Sequence, residues 1–321
     1  MKIGLLRESG GLGDVIMSGG VVQRFPEDEV VFIGFEEYRQ AIEHIGYSGA
    51  CYLDPRARKT RRNRLDILRL DKPFISHING FGFDRIYDLF CPGYIHEFAV
   101  RNERERVVYN RVEAMQIQCG FYNNFKRPIW KVKDEEIAKA YIWLELNNIK
   151  ECNNLVPIHY RATSASRSYL KIRELIDILI GNGYTVLLLD SINIIDKFKK
   201  CGVITCWKEP LWLKAAILKI INKLICVDSG FLHLAASIGV KTLSLWGPTD
   251  PVITTKLYSD DVSIYCYDLQ NTFDLPNIKF DTVKCETPPC MLPPKQCNNI
   301  GCKWMNEICV GDIVEKFGNF V

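Results

Sequence analysis

No apolar run in this sequence is long enough to cross a bilayer, and the chain does not open on a basic segment followed by a long apolar one. Both absences count against a membrane-spanning or exported chain, so the expected location is the cytoplasm. Charge of one sign is also lacking. Against 41 Lys and Arg stand 38 Asp and Glu, and the net charge of +3 is too small to argue for a nucleic-acid partner. The basic stretch Arg56 to Arg64 is a local exception. It reads first as a solvated face and second as a patch for an anionic acceptor or a membrane surface. A dinucleotide fingerprint is missing as well. Gly10-Gly11-Leu12-Gly13 does not fit Gly-x-Gly-x-x-Gly, and no acidic residue closes the expected second strand at Gly34. A nicotinamide-dependent oxidoreductase is therefore a minor reading.

What is present is a chain of 321 residues, 47% apolar and 25% charged, which suits a globular protein with two cores. Apolar runs alternate with helical patterns. Expected strands cover 2–6, 30–34, 50–53 and 84–90, and expected helices cover 14–23, 36–45 and 103–119. After a polar, turn-rich stretch at 123–128 comes a helix at 134–146, and the alternation starts again. Strands are expected at 155–160, 185–189, 224–227 and 242–246, and helices at 172–180, 211–221 and 231–238. Such alternation predicts α/β structure with doubly wound parallel sheets. Two Rossmann-like domains are expected, at 1–152 and 153–305, with a last helix near 312–317.

Three turns stand out chemically. The strongest is Asp228-Ser229-Gly230, between an apolar strand and a helix that Gly239 ends. Ligands of open α/β sheets bind at the strands' carboxyl edge. A helix start offers unpaired N–H groups and a positive dipole end, which suits a diphosphate. Gly230 permits close approach, Ser229 and His233 add donors, and Asp228 can accept from sugar hydroxyls. The plainer alternative is a helix cap with a buried histidine. The second turn is Ser9 to Gly13. Gly11 and Gly13 let a ligand approach the backbone, and Asp14 in the following first turn is a candidate general base or a simple cap. The third is the polar loop after the strand at 155–160, where Thr163 and Ser164 can donate to phosphate oxygens and Arg167 can neutralise charge.

The segment Asp228-Ser229-Gly230-x-x-His233-Leu234-Ala235-Ala236, followed by Gly239 to Pro251, resembles the donor-site signature of the heptosyltransferases, glycosyltransferase family 9. Leu12 to Val15, Asp84 to Leu89 and Arg161 to Tyr169 are similar to further motifs of that family, in the expected order. The resemblance implies a GT-B fold, two Rossmann-like domains facing a cleft, with a last segment, 306–321, packing back on the first domain. It implies an inverting transfer of heptose from an ADP-linked donor to a lipopolysaccharide-type glycan or glycolipid, with Asp14 as the base. Members often carry Lys where Arg167 stands, and seat the base of the nucleotide near Trp207 to Leu211. No cofactor or catalytic metal, no nucleic acid and a peripheral contact with the membrane's inner face are further implications. Another nucleotide sugar, a protein acceptor, or a non-catalytic nucleotide-sugar binder of the same fold remain alternatives. The five tail cysteines, Cys285, Cys290, Cys297, Cys302 and Cys309, are spaced more loosely than paired zinc knuckles. They read as structural thiols, a disulfide staple or a structural metal site.

Overall fold

The computed structural model describes residues 1–7, 10–53, 80–89, 110–149, 151–190, 202–247, 255, 264–267, 305 and 307–320. They fall into two compact units, divided at Lys131 and Val132. The basic stretch 56–64, the turn 248–251 and Cys285, Cys290, Cys297 and Cys302 lie outside the described residues.

The first unit contains β1 (Lys2–Arg7), α1 (Leu12–Val22), β2 (Glu29–Gly34), a short α2 (Arg39–Ile42), β3 (Gly49–Tyr52), β4 (Arg85–Asp88) and α3 (Arg111–Gln118). Its four strands are parallel in the order β3-β2-β1-β4. Ile3, Leu5 and Leu6 of β1 and Phe32 and Ile33 of β2 are fully buried. Strands covered on both faces read as continuous apolar runs, and so these were legible. The helix expected at 36–45 is instead a 3-10 turn, Glu36–Tyr38, followed by the single turn of α2. An Asn110–Glu113 capping box starts α3: the Asn110 side chain accepts from Glu113 N at 3.0 Å, and Asn110 N donates to Glu113 Oε2 at 2.8 Å.

The second unit contains α4 (Asp134–Leu146), β5 (Leu155–His159), α5 (Ile172–Gly181), β6 (Thr185–Leu188), β7 (Val203–Thr205), α6 (Leu211–Ile221), β8 (Lys223–Val227), α7 (Gly230–Ile238), β9 (Lys241–Leu245), β10 (Ile264–Tyr267) and α8 (Val310–Phe320). Its strands are parallel in the order β10-β9-β8-β5-β6-β7. Renumbered from its own first strand this is 3-2-1-4-5-6, the Rossmann order, whose direction reverses between β5 and β8. Two of these strands, β7 and β10, were not expected from the sequence. Central β5 carries Pro157, which has no N–H to give its neighbours, and its register with β8 is confined to Ile158–Ile225 and His159–Cys226. Left-handed Gly239, φ 86°, ends α7.

Two expectations about domain limits change. The helix α4 packs on α6 and belongs with the second unit, so within the boundary zone expected at 122–153 the division falls before this helix rather than at 152. The last helix was expected to pack back on the first domain. In the structure Ile313 and Phe317 of α8 join Leu175, Leu179 and Val186 in the core of the second unit, with Phe317 edge-on to Tyr184 at 6.0 Å. Its apolar stripe, one turn apart, meets the groove that α5 and β6 leave open. No helix among the described residues is long and apolar enough to cross a membrane.

Because Phe317 is fully buried, Phe317→Ala is expected to destabilise the second unit by about 3–5 kcal/mol, the usual cost of emptying a buried aromatic site. Chemical denaturation followed by circular dichroism measures it. A loss below about 1 kcal/mol would contradict this packing of α8.

Candidate functional site

In the second unit the sheet reverses between β5 and β8, and polar residues gather at that point. The carboxyl end of β8 runs into Asp228 and Ser229, and α7 begins at Gly230. Ser229 occupies the N-cap position in extended conformation, φ −153° and ψ 174°, yet its side chain makes no capping bond. Its hydroxyl turns to His159 Nδ1, 3.1 Å away. The plain capping role considered for Ser229 is thus not what its side chain does. The N–H groups of the first turn of α7 remain a helix end that an anion can meet.

Asp228 is buried and bound to the loop after β5. Arg167 Nη1 lies 3.1 Å from Asp228 Oδ2 and 3.3 Å from the Asp228 carbonyl oxygen, and donates to both. The Arg167 side chain keeps 27% exposure, so the guanidinium has further N–H groups to offer outward. A 3-10 turn, Ala165–Arg167, aims it there. Ser164 and Ser166 share a hydroxyl contact at 2.7 Å, and Ser168 Oγ accepts from Ala162 N at 3.1 Å, which stiffens the loop. Thr163 is exposed. The structure thus joins Arg167 to Asp228 and places Ser229 and Gly230 next in the chain. His233, expected as a further donor or as a buried histidine, is 3% exposed and lies one turn inside α7. Trp207, at the start of the loop before α6, gives its carbonyl oxygen to Lys214 Nζ at 2.8 Å.

His159 and Asp190 were missed in the sequence. His159 ends β5, and Asp190 follows β6. The His159 ring stacks on Phe231 at 4.5 Å, and its Nε2 is 3.6 Å from Asp190 Oδ1. Tyr160 N donates to Asp190 Oδ2 at 2.9 Å. Burial pushes His159 down to about 3, helped by Lys214 and Arg161. Burial likewise raises Asp190 to about 7, against the backbone N–H groups of Tyr160 and Arg161 and the nearby cations Arg161 and Lys214. A polar residue closing an apolar strand was the only signal for either.

The first unit carries a comparable group where its own order reverses, between β1 and β4. Arg7 ends β1 and is buried, and its Nη1 donates to the Leu89 carbonyl just past β4 at 2.5 Å. Arg7 Nη2 lies 2.9 Å from Asp14 Oδ1, and Asp14 Oδ2 accepts from Gly11 N at 2.9 Å. Arg111 Nη1, positioned by the cap of α3, is 3.9 Å from Asp14 Oδ1. Asp14 is therefore the third residue of α1, reaching back to the N-cap, and it retains 18% exposure. Gly10 explains why this turn is glycine-rich. Its φ is +103°, and an added Cβ would stand 2.4 Å from Asp14 Oδ2 and 2.8 Å from Arg7 Nη2. A Cβ added at Gly11 would meet nothing within 4 Å among the described residues. Among the described residues, Arg7 Nε is buried without a hydrogen-bond partner.

The two shifts act on stability with opposite signs. Asp190 binds its proton more tightly folded than unfolded, so its contribution is whole below about 4 and is lost as pH rises through about 7. His159 is depressed, so its contribution is whole above about 6.5 and is lost as pH falls toward 3. Asp190→Asn removes only the first loss. Its melting temperature relative to the unaltered protein is expected to rise between pH 5 and pH 8, by the equivalent of about 2 kcal/mol. A difference that stays flat across that range would refute a neutral buried Asp190.

Comparison with known proteins agrees with this geometry. Residues 158–278 match glycosyltransferase family 9 (heptosyltransferase). No curated protein matches the sequence. Among solved structures, the Escherichia coli ADP-heptose lipopolysaccharide heptosyltransferase II is similar over 100% of this chain and 98% of its own, with TM-score 0.67 and 14% identity. E. coli heptosyltransferase WaaC, solved with ADP, is similar over 100% of both chains, with TM-score 0.58 and 14% identity. The iron-containing dodecameric glycosyltransferase TibC from enterotoxigenic E. coli is similar over 99% of this chain and 76% of its own, with TM-score 0.55 and 11% identity. Two parallel α/β units of Rossmann type, a charged helix start at the reversal point of the second and a family match covering that point lead to one conclusion: residues 158–278 are a glycosyltransferase family 9 (heptosyltransferase) domain, and the chain is a glycosyltransferase of the GT-B class.

Proposed function

We propose that this chain is an inverting glycosyltransferase that moves heptose from ADP-heptose to a lipopolysaccharide-type acceptor, with Asp14 as general base. The observation that carries the reading is the start of α7, an N-terminus that its own N-cap side chain, Ser229, leaves uncapped, flanked by the Arg167 guanidinium. Such an end binds a diphosphate through backbone N–H groups, and Arg167 meets the charge that grows as the nucleoside diphosphate leaves. In this reading Thr163, Ser164, Ser229 and Gly230 contact phosphates and Asp228 orients Arg167. His233 supports the helix from inside.

The chemical step is a single displacement. The acceptor oxygen attacks the anomeric carbon, the bond from that carbon to the diphosphate oxygen breaks, and the acceptor proton passes to Asp14. One displacement inverts the anomeric centre. Arg7 and the Gly11 N–H hold the carboxylate in place. That Gly11 has no described neighbour where a Cβ would stand suits an acceptor close to the backbone. The step as written uses no metal ion. The ADP and heptose assignments are supported by the WaaC structure solved with ADP and by heptosyltransferase II, each similar to this chain over its whole length. An acceptor of this kind places the protein at the cytoplasmic face of a membrane.

Asp14→Asn is expected to lower kcat by about 10²–10⁴, the range for loss of a general base, while nucleotide affinity stays within about twofold. Single-turnover assays with ADP-heptose and a heptose-deficient lipopolysaccharide core measure this, and an unchanged kcat would remove Asp14 from the reaction. Thermal-shift measurements with ADP, UDP and GDP test the donor. Only ADP at about 100 times its Kd is expected to stabilise, by about 2.7 kcal/mol. Stabilisation by UDP or GDP instead would reassign the nucleotide.

A further inference from the structure

Three side chains stand in a row across the neighbouring strands β8, β5 and β6. Ser229 Oγ is 3.1 Å from His159 Nδ1, and His159 Nε2 is 3.6 Å from Asp190 Oδ1. The row has little freedom. His159 is stacked on Phe231 and its side chain is 12% exposed, while Asp190 is tied through its other oxygen to Tyr160 N. The longer contact closes to a hydrogen bond by a shift of about half an ångström, of the kind that ligand binding produces in open sites.

Hydrogens can be placed along this row in two ways. With Asp190 ionised, His159 carries its hydrogen on Nε2 and faces the carboxylate. Nδ1 is then an acceptor, the Ser229 hydroxyl points its hydrogen inward, and Ser229 presents only lone pairs to a ligand. With Asp190 protonated, its O–H faces Nε2 and Nδ1 carries the hydrogen. Nδ1 then donates to Ser229 Oγ, which frees the hydroxyl hydrogen to donate outward. The imidazole is neutral in both arrangements. They differ by one proton: Nε2 gives its hydrogen to Asp190, and Nδ1 gains one that comes from solvent. A phosphate oxygen is repelled by the first arrangement and bound by the second.

We propose that His159 and Asp190 are positioning residues that turn Ser229 from acceptor to donor, so that binding a nucleoside diphosphate at α7 takes up one proton from water. This rests on the diphosphate reading of the α7 start given above. Position near neutrality supports it: burial keeps His159 neutral and sets Asp190 at about 7. The titratable and charged groups around the row are Tyr160 and Arg161 after β5 and Lys214 from α6, with Cys206 and Glu209 beside Lys214. Arg161 and Lys214 oppose proton uptake at Asp190, and burial favours it.

Isothermal titration of the full chain with ADP, UDP and GDP, in buffers of differing ionisation enthalpy at pH 7.5, tests this. Binding to the unaltered protein is expected to take up about 0.5 to 1 proton more than binding to Asp190→Asn. In that variant the amide N–H donates permanently to Nε2 and holds Ser229 as a donor. Nucleotide affinity of the unaltered protein should fall by up to about tenfold from pH 7.5 to 8.5, and that of Asp190→Asn should not. Ser229→Ala keeps the His159–Asp190 pair and is expected to abolish the extra uptake too, which covers a poorly folding Asp190→Asn. Equal uptake in the unaltered protein and both variants overturns the relay and leaves the diphosphate site standing. Failure of all three nucleotides to bind overturns both.

Discussion

Parallel strands buried on both faces leave polar groups nowhere to go but the strand ends, and this constraint organises the protein. In each sheet the strand order reverses beside the first strand, so the helices on either side of that point run to opposite faces and the edge stays uncovered. Each first strand ends there on a polar residue, Arg7 in one unit and His159 in the other. Arg7 is buried and His159 largely so, so each needs partners, and the neighbouring strand ends and helix starts supply them. The charged groups read here as functional are thus also the groups that complete the fold at its two reversal points.

The two units solve this differently. Arg7 is fixed by a carbonyl oxygen and by Asp14, so the carboxylate is held in one orientation by a planar guanidinium. In the second unit the strand end is an imidazole whose hydrogens can be rearranged, and the guanidinium of Arg167 comes from a loop and stays partly exposed. A fixed carboxylate suits a proton acceptor, and a partly exposed guanidinium suits a leaving diphosphate.

Much of the fold was legible because the strands are unbroken apolar runs between glycine- or asparagine-ended helices. What was lost has physical reasons. Val203–Thr205 is three residues long and Ile264–Tyr267 is an edge strand, and neither is long enough to show a period. The stripe of Ile313 and Phe317 announces a buried helix face but not which core receives it, and in the structure it joins the core around α5. Asp14, Arg167, Asp228 and Ser229 were visible because each stands in a turn at a strand's carboxyl end. Arg7, His159 and Asp190 were not, since Ser229 is 70 residues from His159 in sequence. Only the order β8-β5-β6 makes them adjacent.

Pro157 sits in the middle of the sheet, where an amide hydrogen is missing from the ladder, and β5 meets β8 in register only through its last two residues. The six-stranded sheet is therefore two leaves of three strands joined in register along a short seam. The Ser229–His159 bond crosses that seam at its outer end. The Ser229 hydroxyl just past the end of β8 thus takes its partner from across the shortest register of the sheet, and the candidate site spans that join rather than lying on either leaf.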